Sequence, residues 1–297
     1  VTTLVQSVRI WGEMVKFSHS VFALPFALMA AFLAGRHIEG RGWPYLGQLG
    51  LIVVCMVAAR SVAMTFNRIV DAEIDARNPR TVGRPLPSGR LPRAAAYAMM
   101  GLFTLTFGVA CLGFYIWYGN SWPMLLSGPV LMYLCAYSLT KRFTRYAHFV
   151  LGSAIAFSPV AAWLAIDPAG VGVEAVLLML SVTCWIAGFD IIYALQDIEV
   201  DRREGLHSLP SRLGPRRALF VARGCHLVTV ASWIALGVLA DLGPLYAVGV
   251  SIAAVLLIVE NCLVSPTDFS RVNLAFFTLN GLVSLLLATL TVMDVLV

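Results

Sequence analysis

Nine runs of roughly 20 predominantly apolar residues fill this sequence, near 14–35, 46–70, 94–117, 121–140, 147–166, 172–195, 217–239, 243–264 and 273–295. A run of that length crosses the hydrocarbon core of a bilayer as an α-helix, which satisfies its own backbone N–H and C=O groups. Composition agrees. Of 297 residues, 59% are apolar and 12% charged, against about 25% charged in a typical soluble domain. These proportions exclude a soluble domain, a nucleic-acid-binding module and a disordered chain. The expected fold is all-α and polytopic, a single integral-membrane domain over residues 1–297, with the lipid bilayer as its surroundings and no nucleic-acid partner. Pro25, Pro123, Pro129 and Pro159 fall inside the runs, where neighbouring helices can re-satisfy the carbonyls they free.

The net charge of +5 reads as a topology signal and not as a polyanion site. Loops after the second, fourth, sixth and eighth runs carry Arg77, Arg80, Arg84, Arg90 and Arg93, then Lys141, Arg142 and Arg145, then Arg202, Arg203, Arg212 and Arg216, then Arg271. The opposite loops hold Arg36 and Arg41. The asymmetry puts the N-terminus and the basic loops in the cytoplasm and the C-terminus outside. No cleavable leader precedes the first run, so direct insertion by that helix is expected. Cys55, Cys111, Cys135, Cys184, Cys225 and Cys262 are scattered singly through apolar stretches, as small buried hydrophobes are.

Acidic residues are distributed unevenly. Of 16 in the chain, eight lie in two short segments: Asp71, Glu73 and Asp75, then Asp190, Asp197, Glu199, Asp201 and Glu204. Each segment sits at the cytoplasmic end of a run. Asn67, Asp71 and Asp75 are spaced at steps of four, as are Asp197 and Asp201, and Asp190 precedes Asp197 by seven. Steps of four stack side chains on one helix face, where like charges repel unless a cation neutralises them. Hard oxygen donors suit Mg²⁺, which binds through one or two carboxylates, several waters and substrate phosphates. Two such arrays could hold ions on either side of a diphosphate. The plainer reading of either array is a helix end that enters water and pairs with nearby arginines; matching spacing on one membrane face favours the clamp.

Cations accompany both arrays. Arg60 lies seven residues before Asn67, deep in an apolar run, where an ionisable side chain is expensive unless it faces the bundle interior. Arg80 and Arg84 fall in a Pro- and Gly-rich loop that cannot continue the helix, and Lys141 and Arg142 follow the fourth run. Arginine forks match phosphate oxygens bidentately. His19, His37, His148, His207 and His226 are isolated from any nucleophile or metal-ligand spacing.

The stretch from Asn67 to Gly89, Asn-x3-Asp-x3-Asp followed by Arg80-Thr-x2-Arg84-Pro-Leu-x-Ser-Gly, resembles the first signature of the UbiA superfamily of intramembrane prenyltransferases. Asp190-x2-Tyr193-x2-Gln196-Asp197-x3-Asp201-x3-Gly205-x2-Ser208 resembles the second, and Tyr137-x3-Lys141-Arg142 also fits. The opening from Lys16 to Leu28 is similar to the 4-hydroxybenzoate polyprenyltransferase-like branch, which includes futalosine-route menaquinone enzymes (MqnP). The resemblance implies nine helices around a central cavity with cytoplasmic cap loops, in the inner membrane of a bacterium. It implies Mg²⁺-dependent transfer of a polyprenyl group from polyprenyl diphosphate to an aromatic acceptor such as 4-hydroxybenzoate, in ubiquinone or menaquinone biosynthesis. Asn67, Asp71, Asp75, Asp197 and Asp201 would hold the metal and diphosphate. Arg60, Arg80, Arg84, Lys141 and Arg142 would meet phosphate, and Lys16, Tyr137, Tyr193 and Gln196 would complete the substrate pocket. Asp190 would orient the acceptor or take the ring proton. One departure is Arg68, where an acidic residue often follows the asparagine.

Three other readings remain open. A CDP-alcohol phosphotransferase needs an Asp-Gly that the chain does not contain. A cation-coupled transporter would carry its carboxylates near the midplane on broken helices. A member of the same superfamily with a haem, chlorophyll or tocopherol-type acceptor would carry the same motifs.

Overall fold

The computed structural model describes residues 4–15, 22–38 and 41–297, with the backbone alone for 4–9. Among them helices are the regular elements, joined by turns and loops, with one isolated bridge between Ser265 and Asp268. The helices are α1 (Leu4–Val15), α2 (Leu24–Gly35), α3 (Leu46–Val70), α4 (Ala72–Arg77), α5 (Arg93–Tyr118), α6 (Trp122–Ala136), α7 (Ala147–Ile166), α8 (Val173–Tyr193), α9 (Ile198–Arg203), α10 (Leu209–Leu213), α11 (Pro215–Leu239), α12 (Pro244–Leu263) and α13 (Asn280–Leu296). Among the described residues, eight helices are long and apolar enough to cross a membrane, and α2 is a shorter apolar helix. The chain is an integral membrane protein.

Local chemistry explains many of the boundaries. Helices α2, α6, α10, α11 and α12 carry proline in their first turn, where the missing N–H costs nothing. Pro25 and Pro123 therefore sit in the first turns of α2 and α6, where they free no helical carbonyl. Pro129 and Pro159 do lie within α6 and α7. Gly119, at φ 69°, ends α5 in the left-handed region. Three spans depart from regular α geometry. The fourth closes in a 3₁₀ turn, Tyr137–Arg142, and the sixth in another, Ala194–Asp197. The last opens with a π-helical turn, Leu274–Leu279. The first run, read as starting at 14, includes residues 16–21, which lie outside the described residues.

Two compact units emerge from the contacts. One comprises α1 with residues 53–139, the other residues 22–38, 41–52 and 140–297. In the first, α5 packs on α6, and Ala58, Ala59, Phe107 and Cys111 form a small core. Cys55 Sγ lies 3.9 Å from Cys111 Sγ there, so these two cysteines are neighbours across α3 and α5. In the second unit, α8 packs on both α7 and α11, α2 packs on α7 and α13, and α12 packs on α13. Small residues permit this closeness. Gly152 of α7 abuts the Thr183 carbonyl of α8, and Gly188 of α8 abuts His226 of α11, leaving no room for a Cβ. Phe26, Trp185 and Trp233 are fully buried, with Phe26 5.1 Å from Trp185 and 6.2 Å from Trp233 between ring centroids.

Candidate functional site

The first array lies in the first unit, at the end of α3. Asp71 sits at φ −91°, ψ 4°, between α3 and α4, yet the helical hydrogen bonds run through it. Its N–H donates to Asn67 O at 2.9 Å, and Asp75 N–H donates to Asp71 O at 2.8 Å. The steps of four therefore hold their register. Asn67 Nδ2 donates to Asp71 Oδ2 at 3.0 Å, and Arg68 Nη1 donates to Asn67 Oδ1 at 3.0 Å. Arg84 Nη1 bridges both carboxylate oxygens of Asp75, at 2.8 and 2.7 Å. Asp71, Asp75 and Arg68 are buried. Arg68 also lies within electrostatic reach of Asp71, Asp75 and Tyr137, and Arg60 within reach of Tyr137. Arginines thus supply positive charge that the spacing demanded, and Arg68, an apparent departure in the sequence, is one of them.

The loop behind this array is a chain of turns. Thr81 Oγ1 donates to Asp75 O at 2.9 Å, Arg80 N–H donates to Asn78 Oδ1 at 2.9 Å, and Ser88 Oγ donates to Arg84 O at 2.7 Å. Gly89 adopts φ +72°, a conformation glycine takes without steric cost. Arg90 clamps the loop to α1 through Glu13, at 2.6 Å to Oε1, and to Gly83 O. The Glu13 carboxylate holds the Arg90 guanidinium above its ordinary pKa. Arg90 reads from the sequence as plain topology charge; here it is an anchor.

The second array lies in the other unit and is less regular. Helix α8 ends at Tyr193, the 3₁₀ turn carries Gln196 and Asp197, and α9 restarts at Ile198. A step of seven from Asp190 to Asp197 therefore does not define one helix face, which corrects the sequence reading; a 3₁₀ turn advances three residues per turn instead of 3.6. Asp201 is buried, hydrogen-bonded by Ser208 and within electrostatic reach of Lys141 and Asp197. Ser208 caps α10 in a reciprocal pair with Ser211. Lys141 fixes the same loop by its backbone, accepting from His207 N–H at 2.7 Å.

His148, which reads as isolated in the sequence, bridges Asp190 and the start of α10. Its Nδ1 lies 2.6 Å from Asp190 Oδ2, and its Nε2 accepts from Leu209 N–H at 3.2 Å. No sequence signal marks it, because Asp190 and Leu209 are 42 and 61 positions away. Tyr193 is partly exposed, with its ring 4.2 Å from Phe276 and 6.4 Å from Phe277. Phe22, Phe26 and Trp163 are buried. Lys16 lies outside the described residues.

Arg60, Asn67, Asp71, Asp75, Arg80, Arg84 and Tyr137 belong to the first unit, and Lys141, Arg142, Asp190, Tyr193, Gln196, Asp197 and Asp201 to the second. Among the described residues, no three Asp, Glu, His or Cys side chains converge as a metal cage. An Mg²⁺ held by one or two carboxylates and phosphate oxygens requires no such cage. The donors fit that ion: Asp71, Asp75, Asp197 and Asp201 offer only hard oxygen, and an ionised carboxylate has about four acceptor positions.

A family model described as "UbiA prenyltransferase family" matches residues 23–282. A 4-hydroxybenzoate octaprenyltransferase from Pseudoalteromonas translucida is 30% identical over 250 residues, 81% of this chain and 83% of that one. A UbiA homolog from Aeropyrum pernix K1, solved in its apo form, superposes with a TM-score of 0.78 at 27% identity, covering 94% of this chain and 97% of the other. A UbiA homolog from Archaeoglobus fulgidus bound to GPP and Mg²⁺ superposes with a TM-score of 0.69 at 17% identity, covering 97% and 100%.

Proposed function

This chain belongs to the UbiA prenyltransferase family, and from that premise we propose that it joins a polyprenyl group to 4-hydroxybenzoate or a related quinone precursor. The proposal takes residues 1–297 as one domain in the inner membrane of a bacterium, with the N-terminus and both arrays facing the cytoplasm. The observation that carries it is the cluster of Asn67 with the buried Asp71 and Asp75, to which guanidinium groups are already bonded. Carboxylates and arginines interleaved in this way suit a ligand with both metal and phosphate character. The acceptor follows from the relative named for 4-hydroxybenzoate.

Asn67, Asp71, Asp75, Asp197 and Asp201 would hold Mg²⁺ and the diphosphate. When bound, the ions neutralise charge on the leaving diphosphate. Arg60, Arg80, Arg84, Lys141 and Arg142 would add donors aimed at phosphate oxygens, which strengthen as the leaving group gains charge. The allylic C1–O bond breaks with its electron pair on the diphosphate. The arene carbon ortho to the phenol oxygen then bonds to C1, and the ring proton departs to a base. Lys16, Tyr137, Tyr193 and Gln196 would line the pocket, with Tyr193 beside the allylic cation. Asp190 would hold the acceptor hydroxyl or take the ring proton. The apolar surroundings keep water from trapping the cation as an alcohol.

Purified protein with Mg²⁺, geranyl diphosphate and a panel of aromatic acids should release diphosphate and form a C-prenylated 4-hydroxybenzoate, identified by mass. EDTA should stop the reaction and Mg²⁺ restore it. Asp71→Ala and Asp197→Ala should insert and fold yet lose at least 100-fold in turnover, a conservative figure for removing several kcal/mol of charge stabilisation. Turnover of a different acid would move the chain to another acceptor branch, the menaquinone one included. Absence of diphosphate release with every acceptor would reopen the transporter reading.

A further inference from the structure

Both nitrogens of the His148 ring are engaged, and by partners that differ in kind. Leu209 N–H is a donor only, so the nitrogen facing it, Nε2, presents its lone pair. The hydrogen of the neutral ring then resides on Nδ1, which donates to Asp190 Oδ2 at 2.6 Å. The backbone of a loop thereby selects the tautomer. His148 is itself buried, while the Asp190 side chain keeps 23% exposure. Among the described residues, no group hydrogen-bonds the second oxygen, Oδ1. One oxygen is tied down and the other is presented.

We infer that His148 is a positioning residue: the Leu209 N–H locks its tautomer, and its Nδ1–H fixes Asp190 so that Oδ1 meets the hydroxyl group of the aromatic acceptor. This deepens the prenyl-transfer reading and rests on it. The same bridge ties acceptor recognition to the loop holding the second array, because Leu209 follows Ser208, the residue bonded to Asp201. A hydroxyl group is the chemistry Asp190 Oδ1 selects. An arene lacking one leaves a desolvated carboxylate oxygen without a donor, the costly side of hydrogen-bond accounting.

Three variants test the inference in detergent-solubilised full-length protein. His148→Leu removes donor and acceptor together. His148→Gln carries one of each on a single amide and can serve both partners. Asp190→Ala removes the group through which His148 acts. His148→Leu should raise KM for 4-hydroxybenzoate about tenfold or more, the worth of a hydrogen bond to a charged group. KM for geranyl diphosphate should change by less than about threefold, and His148→Gln should recover most of the loss. In the Asp190→Ala background, His148→Leu should add nothing to the acceptor KM. Equal rises in both KM values, failure of Gln to rescue, or full additivity with Asp190→Ala would each overturn the inference.

A second measurement is independent of turnover. Amide exchange across residues 205–211 without substrate should accelerate in His148→Leu and stay at the wild-type rate in His148→Gln. Unchanged exchange in His148→Leu would end the bridge even in an active enzyme. Wild-type protein that makes no product while showing these exchange rates would instead locate the failure in the prenyl-transfer reading.

Discussion

Glu260 is fully buried in α12, and its Oε1 accepts from Asn280 Nδ2 at 2.9 Å. Asn280 Oδ1 in turn accepts from Trp185 Nε1 at 2.7 Å, so three helices share one polar chain. Glu260 Oε2 has no hydrogen-bond partner among the described residues. An ionised carboxylate so placed, without a cation, would cost several kcal/mol. Glu260→Gln keeps the acceptor for Asn280 and carries no charge, so its melting temperature in detergent should equal or exceed that of the parent. Glu260→Ala removes the acceptor and leaves a void, and should lose about 1–3 kcal/mol. A Gln variant as unstable as the Ala variant would show that the charge itself is required. The contrast with Asp71 and Asp75 shows what is legible at this scale. Those carboxylates stand in register with each other and beside arginines along the chain, so spacing reveals them. The partners of Glu260 and His148 arrive from distant helices, and no local pattern announces them.

Helix α12 illustrates the same division for elements. Its start after Gly243 leaves several N–H groups without intrahelical acceptors. Asp294, near the end of α13, takes three of them: Gly243 at 2.6 Å by Oδ2, and Leu245 at 3.1 Å and Tyr246 at 3.3 Å by Oδ1. A carboxylate at a helix N-terminus also meets the positive end of the helix dipole. Asp294→Ala should destabilise the protein by about 2 kcal/mol, and Asp294→Asn by less, since an amide oxygen still accepts. Thermal unfolding followed by thiol-reactive dye would read both; equal stability of all three proteins would refute the cap. Apolar length alone locates most spans, to within a few residues at α5, α7, α11 and α12. It does not locate the 3₁₀ turn after Tyr193 or the π turn at Leu274–Leu279. Neither contains proline or glycine, so the breaks reflect packing and not a local residue preference. The consequence is concrete: the first array keeps its helical register, and the second loses it between Asp190 and Asp197.

For the whole molecule, the arrays lie in different units of the chain, yet the proposed reaction needs both on one diphosphate. That requirement separates a clamp from two independent metal sites. A ligand that binds the folded state stabilises it by RT ln(1 + [L]/Kd), about 2.7 kcal/mol at 100 times Kd. Independent sites would contribute separately, and disabling one would leave the stabilisation from the other. A shared ligand behaves otherwise, because each half contributes to a single affinity. Mg²⁺ with geranyl diphosphate should therefore raise the melting temperature of the parent protein, and Asp71→Ala and Asp197→Ala should each remove most of that rise. The double variant should fall no further, since interaction through one ligand makes the two losses non-additive. Mg²⁺ alone should give a much smaller rise, because phosphate oxygens complete its coordination. If each single variant instead kept about half of the rise and the double variant none, the arrays would be separate sites and the shared clamp would be wrong.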